Sequence, residues 1–262
     1  MAKKSTYEHR KRGRKPPQLK KWIVFFLELS ICLALIGFVG YRFYEYTQNS
    51  EKFQVKSVRI EGLRALSEDD VLEVSGLIQD GNVLYLDAPA IQGAIESMAF
   101  VKTCTVRQIF PDSVVISIDE RIPYLTVQLN RRSYMIDEEG VVLLEYGSLE
   151  EPVMPFVTNV GDLEFVTVGE AIESESLHGA IQVWEAFRRL PLASGLSASE
   201  LAAYSPSEIL MYCDELVFEI RWSAKSVADQ ADRLSVFWDL QNGAILCGDY
   251  LDLRFGADLI CK

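Results

Sequence analysis

The feature that most constrains this 262-residue chain is an unbroken apolar run near its N-terminus. Residues 22–41 read WIVFFLELSICLALIGFVGY, and Glu28 is the only charged residue among them. At about 1.5 Å per residue such a helix is roughly 30 Å long, which matches the hydrocarbon core of a bilayer. We therefore predict a transmembrane helix over residues 22–42, with Trp22 and Tyr41 at the membrane interfaces, where aromatic side chains concentrate.

The residues after the run favour an uncleaved anchor over a signal peptide, because GYRFYEYTQNS offers no small-residue cleavage site. Glu28 leaves two interpretations open. Its carboxyl group could meet a polar group on a partner's transmembrane helix, or it could lie close enough to the interface to be protonated or reached by water. In both cases the Leu, Ile, Phe and Val residues of the run outweigh the cost of inserting one acidic residue.

The two sides of the predicted span differ in charge. Residues 1–21 form a basic tail with nine Lys or Arg against one Glu, whereas the whole chain has a net charge of −12. By the positive-inside rule the tail stays in the cytoplasm, and the body that follows the span lies on the outer side of the cell membrane. Such an acidic body repels phosphate backbones, which argues against nucleic acid as a partner.

The region from residue 53 to 122 predicts a β-α-α-β-β module. Ser67 followed by Asp70 is a capping-box pattern that begins one helix, and Asp87 with Pro89 begins a second. Two strands, at 101–109 and 114–120, are joined by a turn that contains Pro111. A three-stranded sheet leaves edges that another chain can extend, and we expect that edge at one of these two strands.

The region from residue 123 to 262 predicts a second, mixed α/β module with a mostly antiparallel sheet, so that the chain is α+β overall. Strands are expected at 124–129, 133–136, 141–144, 209–212 and 217–222, and helices at about 174–190 and from about 223–226 onward. Turn residues at 137–140 separate two of these strands, as in a hairpin.

The sequence predicts no catalytic, metal or cofactor site. His178 is the only histidine of the outer body, and no nucleotide-binding or hydrolase motif occurs. The cysteines lack metal-ligand spacing, and Cys104 and Cys213 fall in strand-like runs, where we expect them to be small buried residues. A bridge between Cys247 and Cys261 is conceivable in an oxidising compartment, and the sequence leaves it open.

Several motifs behind one N-terminal anchor resemble the FtsQ/DivIB family of bacterial cell-division proteins. They read VKSVRIEGLRALSEDDVLEVSGL, GNVLYLD, IFPDSVVISIDERIP, YMIDEEGVVL and the terminal YLDLRF. The resemblance implies that residues 53–122 form a POTRA domain and residues 123–262 the β domain of this family. It also implies a non-enzymatic divisome scaffold at the division septum, which binds DivIC/FtsB-like and FtsL-like bitopic partners and through them regulates the septal peptidoglycan synthase.

In this family a partner strand adds to the final strand of the β domain, so the YLDLRF match implies a partner-binding segment. Its residues are Tyr250, Leu251, Asp252, Leu253, Arg254, Phe255, Gly256, Ala257 and Asp258. Arg254 and Phe255 would supply a charge and an apolar anchor, whereas the alternative for the apolar residues is that they face the core. Three other classes stay open: a POTRA-bearing translocation or assembly component, an anchored cell-wall hydrolase, and a sensor of a small ligand.

Overall fold

The computed structural model describes residues 18–77, 81–147, 152–243, 245–256 and 258–262. The helices are α1 (Gln18–Asn49), α2 (Glu68–Ser75), α3 (Ala88–Glu96), α4 (Glu175–Arg188) and α5 (Val227–Leu240). The strands are β1 (Ser57–Glu61), β2 (Val101–Ile109), β3 (Ser113–Glu120), β4 (Leu125–Leu129), β5 (Arg132–Ile136), β6 (Val142–Glu145), β7 (Phe156–Thr158), β8 (Ala198–Ser205), β9 (Glu208–Cys213), β10 (Glu219–Trp222), β11 (Tyr250–Asp252) and β12 (Ile260–Cys261). The predicted α+β fold is confirmed, and the predicted basic tail up to residue 17 lies outside the described residues.

The predicted apolar helix is present as α1, and it is longer than expected. It continues past residue 42 to Asn49, and residues 21–49 are long and apolar enough to cross a membrane by length and composition. The module of residues 53–122 holds the extra turns. Asn82 donates from Nδ2 to the carbonyl oxygens of Thr47 (2.7 Å) and Gln48 (3.2 Å), and the hydroxyl groups of Thr47 and Tyr85 lie 2.8 Å apart. These contacts satisfy carbonyl groups that a helix end otherwise leaves without partners.

The module of residues 53–122, called the first module, has the predicted β-α-α-β-β order. Ser67 caps α2 by accepting the Asp70 N–H (3.2 Å), and Asp87 caps α3 by accepting the Ala90 N–H (3.1 Å). Gly62 ends β1 at a φ of +95°, and a Cβ atom there would lie 1.9 Å from the carbonyl oxygen of Ile118, so only glycine fits this turn. One face of the sheet and both helices enclose a core of its own.

The strand order of this sheet is β1-β3-β2, with β3 parallel to β1 and antiparallel to β2. Of the two strands at which an edge was expected, the one at 101–109 is an edge as β2, whereas the one at 114–118 is not, because β3 pairs on both sides. The edges are therefore β1 and β2. On β3, Val114, Ile116 and Ile118 are buried, as the alternating pattern predicted.

The second module is a nine-stranded sheet in the order β12-β11-β10-β9-β8-β7-β4-β5-β6. Most neighbours are antiparallel, whereas β4/β7, β7/β8 and β10/β11 are parallel. Helices α4 and α5 contribute buried residues to the core of this sheet, among them Leu177, Phe187 and Leu234. Parallel neighbours require long crossover connections, so residues far apart in sequence become adjacent strands.

The sequence analysis missed three strands of this sheet: β7, β8 and β12. Strand β8 reads ASELAAYS, a composition of low β-propensity, and it lies in the sheet because Leu201, Ala202 and Ala203 are buried between neighbours on both sides. The predicted strands at 124–129, 133–136 and 209–212 are present with ends shifted by one residue. The strand predicted at 217–222 begins at Glu219, and the one at 141–144 runs from Val142 to Glu145.

Candidate partner-binding edge of the C-terminal sheet

The candidate site is the end of the nine-stranded sheet where β12 lies outermost. Strand β11 pairs in parallel with β10 and antiparallel with β12, with Leu251 opposite Cys261. Lys262 donates its N–H to the carbonyl oxygen of Tyr250 (3.1 Å) and accepts the Tyr250 N–H (3.4 Å). Because backbone groups alternate in direction along a strand, the N–H and C=O of Cys261 point away from β11. No strand among the described residues pairs with that side of β12.

A buried ion pair fixes the end of β11. Asp252 is 2% exposed and binds Arg254 through two side-chain contacts, Nε to Oδ1 at 2.9 Å and Nη2 to Oδ2 at 2.7 Å. The Arg254 N–H also donates to Oδ1 (3.0 Å). Burial alone would raise the pKa of Asp252, but the hydrogen bonds and charge of Arg254, with the charge of Arg221, lower it. Asp252 is therefore an ionised, fully engaged support of this edge.

Two cationic side chains lie close to the aromatic ring of Tyr250. The Arg221 guanidinium lies 3.8 Å from the centroid of the Tyr250 ring, and the Lys262 ammonium lies 5.8 Å from it. Arg221 also pairs with Glu219 at 2.6 Å. Stacking of a guanidinium on an aromatic face restricts both groups, so the start of β11 is ordered before any partner binds.

An apolar groove runs between α5 and the segment that leads into β12. We call it the α5 groove. It has a volume of about 320 Å³ and is lined by Asp232, Arg233, Val236, Phe237, Leu240 and Leu259. Val236 and Leu240 are 59% and 73% exposed, and Ile260, which follows the groove in sequence, is 41% exposed. Exposed apolar side chains beside a free strand edge are typical of a protein-binding surface.

A disulfide joins the loop before β11 to β12. The bridge links Cys247 to Cys261, whose Cα atoms are 5.3 Å apart. The sequence had left this pair open, and the structure forms it. The free cysteines Cys104 and Cys213 are buried as predicted, and burial, with the charges of Glu215 and Asp214, raises the pKa of Cys213 to about 12. Cys213 is therefore a neutral, inert packing residue.

The segment chosen from sequence, residues 250–258, has a different conformation from the single strand that was expected. The strand ends at Asp252, and Gly256 has a φ of +51° in the turn that leads to β12. Leu251 and Leu253 are fully buried in the core, whereas Phe255 is 53% exposed and Asp258 is also exposed. The Arg254 side chain is occupied by Asp252. Ala257 lies outside the described residues.

The outer strand β12 was not predicted, and with it the sequence analysis missed Ile260 and Cys261. The signal that could have found it is the short run Leu259–Ile260–Cys261 after the turn at Gly256, together with a cysteine partner before β11. The three predicted membrane residues, Trp22, Glu28 and Tyr41, all lie on α1 and are exposed. Trp22 and Tyr41 lie 19 residues apart on the helix, or roughly 28 Å at 1.5 Å per residue.

The opposite end of the nine-stranded sheet is already covered. The Val142 N–H on β6 donates to the carbonyl oxygen of Glu170 (3.0 Å), and its carbonyl oxygen accepts the Gly169 N–H (2.8 Å). Val141 forms a bridge with Ala171. Residues 169–171 thus occupy backbone groups of β6 that an incoming strand would need, which leaves β12 as the more accessible end.

Among the described residues, no group of three or more His, Cys, Asp or Glu side chains could hold a metal ion. His178 lies on α4, where its Nδ1 is 2.8 Å from the carbonyl oxygen of Ser174 in the preceding turn.

Comparisons with known proteins agree with this architecture. A family model described as "POTRA domain, FtsQ-type" matches residues 53–121. The chain is 30% identical over 173 residues to the cell division protein FtsQ of Caulobacter vibrioides, a match that covers 64% of this chain and 57% of that protein. It is 28% identical over 181 residues to FtsQ of Myxococcus fulvus, with 68% and 63% covered. It is 23% identical over 120 residues to the cell division protein DivIB of Clostridium tetani, with 46% and 45% covered. The match spans less than two thirds of the length of each of these relatives.

Proposed function

Because the chain belongs to the FtsQ/DivIB family of bacterial cell-division proteins, we propose that it is a non-enzymatic, membrane-anchored scaffold of the divisome. In this proposal α1 spans the cell membrane once, with the basic tail in the cytoplasm and both outer modules outside, at the division septum. The scaffold binds DivIC/FtsB-like and FtsL-like bitopic proteins and through them regulates septal peptidoglycan synthesis. The apolar length of α1 and the charge asymmetry around it support the anchored orientation.

The observation that carries the proposal is the free side of β12. Its Cys261 N–H and C=O point away from the sheet, and an extended segment of a partner can satisfy them by adding a tenth strand. Ordered supports lie behind this edge, because Asp252 and Arg254 fix the end of β11 and Arg221 holds Tyr250. A preordered edge loses little conformational entropy when a strand binds, which favours affinity.

The position of the α5 groove beside β12 favours a partner that contributes both a strand and a second, apolar segment. Strand addition supplies backbone hydrogen bonds that every sequence can make, so specificity requires side-chain contacts nearby. Val236, Phe237 and Leu240 offer an apolar row at helical spacing, which suits a short amphipathic helix of the partner beside its strand. We therefore propose that residues 250–258 position the docking surface and that β12 and the α5 groove contact the partner.

The experiment is co-purification of the full-length chain with the host's own DivIC/FtsB-like protein. Ile260→Pro removes a backbone donor that faces β11 and so disrupts the pairing that holds β12 in place, and Leu240→Asp places a charge in the α5 groove. Each variant should reduce partner recovery at least tenfold. Val217→Asp is the matched control, since Val217 is an exposed apolar residue (90%) in the turn between β9 and β10 and outside the groove.

Circular dichroism and a thiol count would establish that each variant keeps its fold and its disulfide. Undiminished recovery with both Ile260→Pro and Leu240→Asp would contradict the proposed docking surface. An equal loss with Val217→Asp would also count against it, because the effect would then follow from added charge anywhere on the module.

A further inference from the structure

The Cys247–Cys261 disulfide attaches the outermost strand, β12, to the core of the nine-stranded sheet. It closes a loop of 14 residues in sequence separation that contains all of β11 and ends in β12. Cys247 is 6% exposed and packs with the core of the nine-stranded sheet, whereas Cys261 is exposed. The bridge thus ties an accessible edge strand to a fixed point in the core.

The other attachments of β12 are few. The strand has two residues, and its backbone contacts outside the strand pair are the bonds of Lys262 with Tyr250 and Asp249. The ion pair between Lys262 and Asp249 spans 3.4 Å, but both side chains are 66% exposed, and pairs this exposed contribute little. Ile260 is 41% exposed and buries only part of its side chain. Segments with few buried contacts open locally at low free-energy cost unless a covalent link restrains them.

We propose that the Cys247–Cys261 disulfide is a redox-sensitive tether that decides which strand forms the edge of the nine-stranded sheet. With the bridge intact, β12 is outermost. With the bridge reduced, β12 leaves, and the backbone groups of Tyr250 that Lys262 occupies become the exposed edge. That this change also removes the docking surface rests on the proposed function.

The chemistry needs a dithiol as reductant. One thiolate attacks the exposed sulfur of Cys261, forms a mixed disulfide with it, and releases Cys247 as a thiolate that takes up a proton. The second thiolate of the reductant then attacks the reductant's sulfur atom in the mixed disulfide. This step releases Cys261 as a thiolate, which is also protonated. Two electrons and two protons pass to the protein, and the dithiol becomes a cyclic or intramolecular disulfide.

The test compares amide hydrogen exchange in the full-length chain, held in detergent micelles, before and after treatment with dithiothreitol. A double variant, Cys247→Ser with Cys261→Ser, reproduces the reduced state without reagent. Cys32→Ser is the control, since it removes a thiol from α1 and leaves the bridge intact. We expect at least tenfold faster exchange at Tyr250 and Lys262 in the reduced protein and in the double variant, with Met211 and Ile220 unchanged. Partner recovery should fall at least tenfold in parallel.

Unchanged exchange at Tyr250 and Lys262 after confirmed reduction would overturn the proposal. Faster exchange throughout β9 and β10 would overturn it too, because the bridge would then hold the whole module instead of its edge. The proposed function can fail separately. If reduction frees β12 as expected while the oxidised protein binds no DivIC/FtsB-like partner, the proposed role of the disulfide is supported and the proposed docking surface is contradicted.

Discussion

In the three-stranded sheet both outer strands, β1 and β2, lack a strand partner on one side among the described residues. In the nine-stranded sheet residues 169–171 bond to the start of β6 at one end, and the strand left free at the other end, β12, is held to the core by a disulfide. On β2 the only such device described is Glu96, whose carboxylate accepts the Cys104 N–H at 3.0 Å. The larger sheet therefore has a restrained edge, and such an edge can be specific for one partner.

The largest expected effect separates the two cores. Trp222 on β10 is fully buried in the core of the nine-stranded sheet, and its indole N–H has no hydrogen-bond partner among the described residues. Trp222→Ala should lower the free energy of unfolding of that module by about 3–5 kcal/mol, from lost apolar contacts and a cavity. Urea denaturation followed by residue-specific probes should show that the module of residues 53–122 unfolds at the same urea concentration as in the wild type.

Trp222→Phe is the matched control for that comparison. It keeps most of the apolar volume and removes a donor that makes no hydrogen bond, so its cost should be much smaller than that of the alanine variant. A parallel loss of stability in the first module upon Trp222→Ala would show that the two cores unfold as one unit, and the comparison of two independent sheets would fail.

The next effect tests the support behind the edge. Arg254→Ala leaves the buried Asp252 carboxylate without its partner and should destabilise the C-terminal module by about 1–3 kcal/mol at pH 7. Since the pKa of Asp252 is lowered in the folded state, its contribution is present above the unfolded-state pKa of about 3.9 and is lost as the pH falls through the folded pKa. The gap between wild type and variant in urea denaturation should therefore narrow as the pH is lowered below about 4.

Arg132→Ala serves as the control, because Arg132 is 64% exposed and pairs with Glu145 on the surface. Its effect should stay small at every pH. A gap between wild type and Arg254→Ala that stays constant down to pH 2 would show that Asp252 is not the group that Arg254 stabilises.

The smallest effect concerns the contact between the two modules. Arg121, at the end of β3, binds Asp137 at 2.6 Å and Glu139 at 2.8 Å in the turn between β5 and β6, and Lys102 of β2 binds Glu139 at 2.8 Å. Arg121→Ala should widen the distribution of distances between labels on the two modules, measured by pulsed electron resonance. Arg59→Ala, on the edge strand β1, is the control and should leave that distribution unchanged. An unchanged distribution in Arg121→Ala would show that the ion pairs do not fix the relative orientation of the two modules.

The structure of residues 53–122 was largely predictable because most of its elements are determined by residues close together in sequence. Ser67, Asp87 and Gly76 mark helix ends through contacts within three or four residues, and β2 and β3 are neighbours in sequence. What could not be predicted there was the sheet order. The parallel pairing of β1 with β3 joins residues more than fifty positions apart, and periodicity carries no information on which strand is central.

The second module was predictable only in part, because its sheet is assembled by non-local pairing. Strand β8 has no sequence pattern of its own and is defined by β7 and β9 on either side. The candidate site depends on the same kind of information. The match at YLDLRF located β11 correctly as a strand, but the edge lies one strand further on, and a two-residue strand has no detectable period. Only the pairing of Cys247 with Cys261 marks it, and spacing alone could not decide that pairing.

The amide exchange rate of Cys261, whose N–H points away from β11, tests the docking edge directly when it is measured in the oxidised full-length chain with and without the proposed DivIC/FtsB-like partner. We expect fast exchange in the free protein and strong protection in the complex, because the partner strand would bond to that N–H. Fast exchange at Cys261 in a complex that protects amides of β2 instead would contradict the account and would place the docking edge on the three-stranded sheet.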